Sequence, residues 1–600
     1  MGWRCNRGFA LTSMLRVSVP GPSAGTTTLA VNATLRSTQP HTAKLRRVRL
    51  PNMVLKSHHN SRPFGKGQMA HPNVTKIPPP TPVNAACLER WLDGYREDDK
   101  EFLVDGFKNG FRVGFEGTTN NTVPQNLKSA LEMPELVTAH IQKELDAGRL
   151  AGPFSEPPFE NFQCSPIGLV EKKEKGKYRM IHHLSFPDGS SVNDQIADEW
   201  STVQYATICD AIDLVIGLCD KAFMSKTDVK HAFRVIPLHP EVRHLFVFQW
   251  QDSFYVDLAL PMGCSSSCMI FEAVSTAVNW IAVEKLGIQT VHILDDFFLA
   301  SVSCQVGTSQ LGLFLNMCES LGLPMAPEKT FWPQNVMSFV GYEIDTLERQ
   351  VRLPEDKLEK CLTEIQKMLG KPKATLREVQ SLLGLLNFAC AVILPGRPFL
   401  RRLFDWTIGV KEPWHHKRLD KDVKEDMLVW LHFLSAFNGK SIFPDRHITP
   451  AEKIQFFTDA AGETGSGYGG IFRTAWFNGK WSDWWLEQNI TLLELYPIVV
   501  AVELWGPALR NKRILIRTDN QALVSVLTKQ TSKEPLVMIL VRRLVLFCLR
   551  FNLILSALHI PGIKNQIADA LSRLQMKEFR KRAPWADKVA TAIPCLPSHL

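Results

Sequence analysis

The chain has 600 residues, 45% hydrophobic and 22% charged, with a net charge of +9, the balance of a globular protein with room for several domains of about 100–200 residues. Its thirteen scattered cysteines include no Cys-x-x-Cys pair, which excludes a disulfide framework and a zinc ribbon and points to a reducing, cytoplasmic or nuclear compartment. No apolar run of about 18 residues is free of charge, so no membrane partner is expected.

The charge is unevenly spread. Residues 1–88 hold twelve Lys and Arg and no Asp or Glu, leaving 57 basic against 60 acidic residues in the remainder. Residues 1–83 therefore read as a disordered basic arm rich in Ser, Thr, Pro and Asn. Within it, Lys44-Leu45-Arg46-Arg47-Val48-Arg49 reads equally as a nuclear or nucleic-acid signal and as a solvated tail. Pro78-Pro79-Pro80-Thr81-Pro82 closes the arm as a stiff spacer. Residues 84–150 form a helical leader. Leu88, Trp91, Leu92 and Tyr95, and then Leu136, Ile141 and Leu145, fall at helical spacing and are expected to face a core.

From residue 164 the pattern changes to strands. Ser165–Lys173 and Tyr178–Leu184 flank the turn Glu174-Lys175-Gly176-Lys177, giving a hairpin that carries Lys172, Lys173, Lys177 and Arg179. It reads as a polyphosphate grip or as an ordinary charged hairpin. An apolar strand then ends at Asp228, and Phe233 follows five residues later. Strands over Leu245–Trp250 and Phe254–Leu260 lead to Pro261-Met262-Gly263, a loop opening a helix to about Val283. Gly263 suits a backbone that lies close to a ligand.

Val291–Ala300 places Asp295-Asp296 between two apolar runs, the pattern of a hairpin with acids at its turn. Two adjacent carboxylates raise each other's pKa, and a hard cation such as Mg²⁺ relieves that cost. Alone, the pair is equally a solvated turn.

In the second half, Ile454–Ala460 is a strand ending near Asp459, and Tyr468–Phe472 is its expected antiparallel neighbour. Leu492–Leu495, with Glu494, opens an apolar helix. Ile514–Asn520 is a strand ending at Asp519. His559-Ile560-Pro561-Gly562 leads through Asn565 to Asp569 and a terminal helix.

In this order and spacing, the strand-end Asp228 with Phe233, the Leu260-Pro261-Met262-Gly263 loop and the Asp295-Asp296 hairpin resemble the palm of a reverse transcriptase. The Ser165–Arg179 hairpin is similar to that family's fingers. Gly322–Lys329 and Ser338–Tyr342 resemble its later palm motif and primer grip. Glu355–Leu369 and Thr375–Ala391 resemble its thumb. Asp459, Glu494, Asp519 and Asp569 resemble the four metal-binding acids of ribonuclease H. The resemblance covers about residues 84–575. It is nearest to retrotransposons of the DIRS type, with gypsy-type elements next.

The resemblance implies an α+β right hand of fingers and palm (151–345) and thumb (346–400), a connection (401–450), a ribonuclease H-like α/β domain with a mixed sheet (451–575) and a C-terminal tail (576–600). It implies an RNA-directed DNA polymerase and hybrid-RNA hydrolase, acting on RNA template, DNA primer, RNA–DNA hybrid and dNTPs. Two Mg²⁺ per site, or Mn²⁺, would be held by Asp228, Asp295 and Asp296 and by Asp459, Glu494, Asp519 and Asp569. Lys172 and Arg179 would grip the triphosphate, Phe233 would exclude a 2′ hydroxyl, and Met262-Gly263 would floor the nucleotide pocket. Lys329 would act as a general acid, and His559 would serve proton transfer or product release. Ile293 stands where the family usually has an aromatic residue and Met262 where many members have Gln, departures expected to alter rate or fidelity. The alternative is a host-retained, catalytically inactive nucleic-acid-binding protein.

Overall fold

The computed structural model describes residues 74–172, 176–437, 441–442, 448–454, 456–510, 512–518, 520–551, 553–559 and 565–593. All of them fall within one compact unit, Val48–Leu600. The basic arm up to residue 73, Lys173 and Asp519 lie outside the described residues.

The leader is helical, with α1 (Ala85–Trp91), α2 (Glu97–Asn109) and α3 (Pro134–Asp146). Asn84 caps α1 by accepting the Cys87 N–H, satisfying one of the orphan donors of the first turn. Leu88 and Leu92 are buried as expected, but Leu136 is 40% exposed, while Val137 and Ile141 are buried. Leu136 and Ile141 are five apart and fall on different faces, whereas Val137, Ile141 and Leu145 repeat every four.

Strand β1 (Leu150–Phe154) precedes the hairpin of β2 (Ile167–Glu171) and β3 (Tyr178–His182). After α4 (Ile208–Leu218), the chain enters β4 (Phe223–Asp228). It continues through β5 (Val247–Trp250), β6 (Ser253–Asp257), α5 (Ser267–Trp280), β7 (Gln289–Ile293), β8 (Asp296–Ser301), α6 (Cys304–Ser320) and β9 (Phe331–Gln334). The central sheet has the antiparallel order β7-β8-β4-β9. Alternation along β8 sends Phe297 and Phe298 to opposite faces. Behind the sheet, Phe297 packs on Phe314 of α6 at 5.2 Å between ring centres. In front, Phe298 packs on Phe339 at 4.9 Å. Phe339 ends β10 (Val336–Phe339), which pairs with β11 (Tyr342–Asp345) and, through it, with β12 (Gln350–Arg352). The front face is thus covered by this hairpin and by α4, and the acids lie at the β7–β8 turn end of the sheet.

Helices α7 (Glu355–Leu369) and α8 (Leu376–Ala389) follow, the second started by a Thr375–Glu378 capping box. Helix α9 (Lys421–Phe437) leads to β13 (Ser441–Ile442), which pairs back onto β12. In the second half come β14 (Ile448–Pro450), β15 (Phe456–Ala460), β16 (Gly467–Phe472), β17 (Ala475–Lys480), α10 (Ile490–Trp505), β18 (Arg513–Thr518), α11 (Pro535–Phe551), β19 (Ile554–His559), α12 (Gln566–Ser572) and α13 (Met576–Arg582). The single mixed sheet expected there is two three-stranded sheets, antiparallel β15-β16-β17 and parallel β14-β18-β19. Ile448–Pro450 takes the parallel edge of β18, the position a mixed sheet would give to β15. Helix α13 is packed: Phe579 is fully buried and meets Trp476 at 5.0 Å. Ile490–Leu509 is long and apolar enough to cross a membrane, but 72% of its most apolar window is buried inside the protein.

A buried ion cluster joins the halves. Asp426 of α9, its side chain 3% exposed, meets Arg402 at 3.2 Å and Arg542 of α11 at 3.1 Å. Burial pushes its carboxyl up to about 7, against the pull of both guanidiniums. Arg542→Ala should destabilise the fold by about 3 kcal/mol, because Asp426 then keeps only Arg402. The measurement is the midpoint of chemical unfolding followed by tryptophan fluorescence, and an unchanged midpoint would contradict the cluster's role.

Candidate active sites

Asp228 ends β4 directly opposite Asp296, which starts β8. Ile293 pairs with Asp296, so Leu294 and Asp295 alone form the hairpin loop. Leu294 adopts φ +51°, a left-handed conformation that costs a branched residue about 1 kcal/mol or more. The loop is held from outside. The Leu294 N–H donates to Glu272 Oε2 at 3.0 Å, and Glu272 Oε1 lies 3.2 Å from His292 Nε2. The Val229 N–H donates to the Asp295 carbonyl at 2.9 Å. This tight turn solves the problem of adjacent strand residues pointing apart, and it gathers three acids at this end of the sheet.

Their electrostatics follow from crowding. Burial first, then the Asp228 charge, raises the Asp295 carboxyl above the usual carboxylate range. Burial pushes Asp296 up to about 6, with Lys226 opposing and both other acids adding to the rise. Lys226 Nζ lies 3.9 Å from Asp296 Oδ2. Lys329 Nζ donates to both oxygens of Asp228 at 2.9 Å. Burial works against the Lys329 ammonium, but the Asp228 hydrogen bond and the acids' charge raise its pKa overall.

Oxygen-only donors with surplus negative charge suit a hard divalent ion. Among the described residues, however, no three His, Cys, Asp or Glu side chains are grouped closely enough to hold a metal, and the Lys329 ammonium supplies the countercharge at Asp228.

Phe233 follows the left-handed His231 (φ +58°) in a short 3-10 turn, and its ring meets Phe271 of α5 edge-on at 5.7 Å. Met262 is 40% exposed. Gly263 has φ +110°, and a Cβ there would lie 2.7 Å from the His182 carbonyl. Asn193 clamps this loop, donating to the Gly263 carbonyl at 2.8 Å and accepting the Ser265 N–H at 2.9 Å. Gly263→Ala should therefore displace the loop and lower nucleotide incorporation by about a hundredfold, measured as single-nucleotide addition; retention of wild-type rate would show that the floor does not need this approach. Lys172 and Arg179 are exposed on the β2–β3 hairpin, where Arg179 pairs with Val170. Among the described residues no hydrogen bond or ion pair joins them to the three acids.

In the second half, Asp459 of β15 accepts Ser572 Oγ at 2.6 Å and Asn565 Nδ2 at 3.3 Å. Ser572 ends α12, the helix that carries Asp569, and Asp569 accepts Arg573 Nε at 2.8 Å. Glu494 of α10 accepts Thr518 Oγ1 at 2.9 Å. His559 is exposed at the end of β19, in parallel register with Thr518. Hydrogen bonds thus tie Asp459 to α12 and Glu494 to Thr518, the register partner of His559.

Sequence reasoning missed Glu272, His292, Asn193, Lys226 and Ser572. Glu272 carried a signal, a lone acid inside the apolar helix Cys268–Val283. Asn193 carried none, because its partners lie 70 and 72 residues away.

The family described as "Reverse transcriptase (RNA-dependent DNA polymerase)" matches residues 170–344. The chain is 23% identical over 296 residues to the Gag-Pro-Pol polyprotein of Mason-Pfizer monkey virus and 26% identical over 279 residues to the Gag-Pol polyprotein of woolly monkey sarcoma virus. These matches span 47% and 44% of this chain but 15% of each relative. Among solved structures, a foamy viral protease-reverse transcriptase bound to double-stranded DNA is similar at a TM-score of 0.46 and 15% identity, covering 80% of this chain and 82% of that one. A foamy viral protease-reverse transcriptase with an RNA/DNA hybrid gives 0.43 and 14%, covering 86% and 65%. The matched segment runs from the β2–β3 hairpin to β11 and contains Asp228, Gly263, Asp295 and Asp296, so residues 170–344 are a reverse transcriptase domain of the retroviral and retroelement type.

Proposed function

We propose that the chain is an RNA-directed DNA polymerase with ribonuclease H activity, encoded by a retrotransposon. The observation that carries the reading is the register of Asp228 against Asp296 beside the clamped Asp295 turn, inside a reverse transcriptase domain. Asp228, Asp295 and Asp296 are the residues that would hold Mg²⁺. When bound, the ions lower the pKa of the primer 3′ hydroxyl and steady the triphosphate and leaving pyrophosphate. Phe233 would close the space beneath the sugar and select dNTPs. Gly263 would let the nucleotide approach the backbone. Lys329, already aligned on Asp228, would deliver a proton to pyrophosphate once the acid is engaged elsewhere. Exposed Lys172 and Arg179 would reach the triphosphate by closure of the β2–β3 hairpin.

Asp459, Glu494, Asp519 and Asp569 would hold divalent ions in support of hydrolysis of the RNA strand of an RNA–DNA hybrid, with His559 serving proton transfer. The helical leader ahead of the fingers supports an element of DIRS type, with gypsy type the alternative. A neighbouring recombinase reading frame in the genome would favour the first and an integrase frame the second.

Dual activity is tested by incubating the full chain with labelled hybrid, dNTPs and Mg²⁺, and following primer and RNA strands separately. Extension with RNA shortening supports the reading. Hybrid binding that EDTA leaves unchanged, with neither product, would sink it.

A pH dependence follows from the crowded acids. In the metal-free state Asp295 and Asp296 hold protons above the usual carboxylate range. A carboxyl with a raised folded-state pKa favours the fold below its unfolded pKa, and that contribution is lost as pH rises through the folded value. The metal-free protein should therefore lose stability between about pH 4 and about 6, and Mg²⁺ should restore it most effectively above pH 6. Thermal shift with and without Mg²⁺ reads this. A Mg²⁺ shift independent of pH would contradict it.

A further inference from the structure

Beneath the nucleotide pocket lies a buried ion network that the polymerase chemistry does not itself require. Arg234 immediately follows Phe233. Its guanidinium meets Asp257 Oδ1 at 2.7 Å and Glu144 Oε2 at 2.9 Å, and it donates to the Ala259 carbonyl at 2.8 Å. Glu144 belongs to α3 of the leader and is also held by Arg149 through two 2.8 Å hydrogen bonds. Asp257 is shared: its Oδ2 lies 3.3 Å from His182 Nδ1. The carbonyl of that same His182 is the atom Gly263 approaches. One carboxylate thus ties the turn carrying Phe233 to the strand beneath the Gly263 loop, and one guanidinium ties that turn to the leader.

The side chains of Arg234, Asp257 and His182 are 13%, 6% and 4% exposed. Buried charges in such a network are rigid because any displacement leaves one of them unpaired. The Phe233 turn is also packed from the core side, where Ala232 and Val235 are buried and the ring meets Phe271. It starts from a left-handed His231, and Thr81 Oγ1 donates to the Val235 carbonyl at 2.7 Å. A steric gate discriminates a hydroxyl only if its ring cannot recoil, so the anchor of the ring's backbone sets the selectivity.

We propose that Arg234, with Asp257 and Glu144, is a positioning unit that fixes the Phe233 ring against the Gly263 floor, giving the leader helix α3 a part in rejecting ribonucleotides. This rests on the polymerase reading above, with Phe233 as the sugar gate. Its side chains are engaged by one another and by the Ala259 carbonyl, so the unit acts through the geometry of Phe233 and Gly263.

The test uses the full chain on a primed RNA template, measuring kcat and KM for one dNTP and its matching rNTP. The variants are Arg234→Met, Arg234→Lys and Glu144→Gln, with Phe233→Val as the reference for a lost gate. The ratio of kcat/KM for dNTP over rNTP should fall about tenfold in Arg234→Met and about threefold in Glu144→Gln. The fall should come from a lower rNTP KM, and Arg234→Lys should recover part of it. If Arg234→Met does not fold, Glu144→Gln, whose partner Arg234 keeps Asp257, carries the test. Equal losses for both nucleotides, or an unchanged ratio while Phe233→Val collapses it, overturn the positioning role alone. A wild-type chain that incorporates neither nucleotide overturns the polymerase reading, and this inference with it.

Discussion

Asp228→Asn is expected to lower primer extension by about a thousandfold while leaving hydrolysis of hybrid RNA intact. Asn has nearly the same shape, so the β4 end should persist: the Ala326 N–H still donates to the residue-228 carbonyl. What disappears is the charge. Lys329 loses its ionised partner at both oxygens, and Asp295 and Asp296 lose the neighbour that helps raise their pKa. The neutral amide would hold a cation less well than the carboxylate. Steady-state extension with an unchanged melting temperature separates this from unfolding. A loss of less than tenfold would show that extension does not need the Asp228 carboxylate.

Asp459→Asn is the mirror experiment, expected to lower hybrid hydrolysis by about a thousandfold with extension preserved. Asp459 sits on β15 with both oxygens occupied, by Ser572 and by Asn565. Those donors orient the carboxylate. An amide in its place keeps one acceptor and turns a donor toward Ser572 or Asn565. The strand pairing with β16 is backbone and survives. RNA fragments from labelled hybrid, measured beside extension on the same preparation, read the separation. Parallel loss of both activities would mean that the two halves do not work independently.

Much of this was legible in the sequence because it depends on local pattern. The Asp295-Asp296 hairpin, the strand ending at Asp228 and the Gly263 loop are set by alternation, by charge at an apolar run's end and by a glycine's freedom. The helical pair expected over Glu355–Leu369 and Thr375–Ala391 was placed by the resemblance, and α7 and α8 occupy those positions. What was not legible is long-range. Glu272 shows itself as a lone acid in an apolar helix, but nothing in the sequence says it reaches the Leu294 N–H 22 residues on. The Arg234–Glu144 pair joins residues 90 apart, and a charged residue after Phe233 reads as solvated until its burial is known. The division of the second-half strands into two sheets turns on which strand wins the edge of β18, a contest between Ile448–Pro450 and β15 that alternation cannot decide.

The turn at Leu294 and Asp295 also bears on the absent aromatic at Ile293. Glu272 and His292 brace the loop from the helix side, so the acids keep their place without a ring beside them. That confines the expected effect of Ile293 to the primer end.

The most direct measurement is extension of a labelled DNA primer on an RNA template by the purified full chain, with dNTPs and Mg²⁺, alongside Asp295→Ala. The account predicts DNA reaching the template end with the wild type and an unextended primer with the variant. A wild type that leaves the primer unextended, or a variant that extends it equally well, would contradict it.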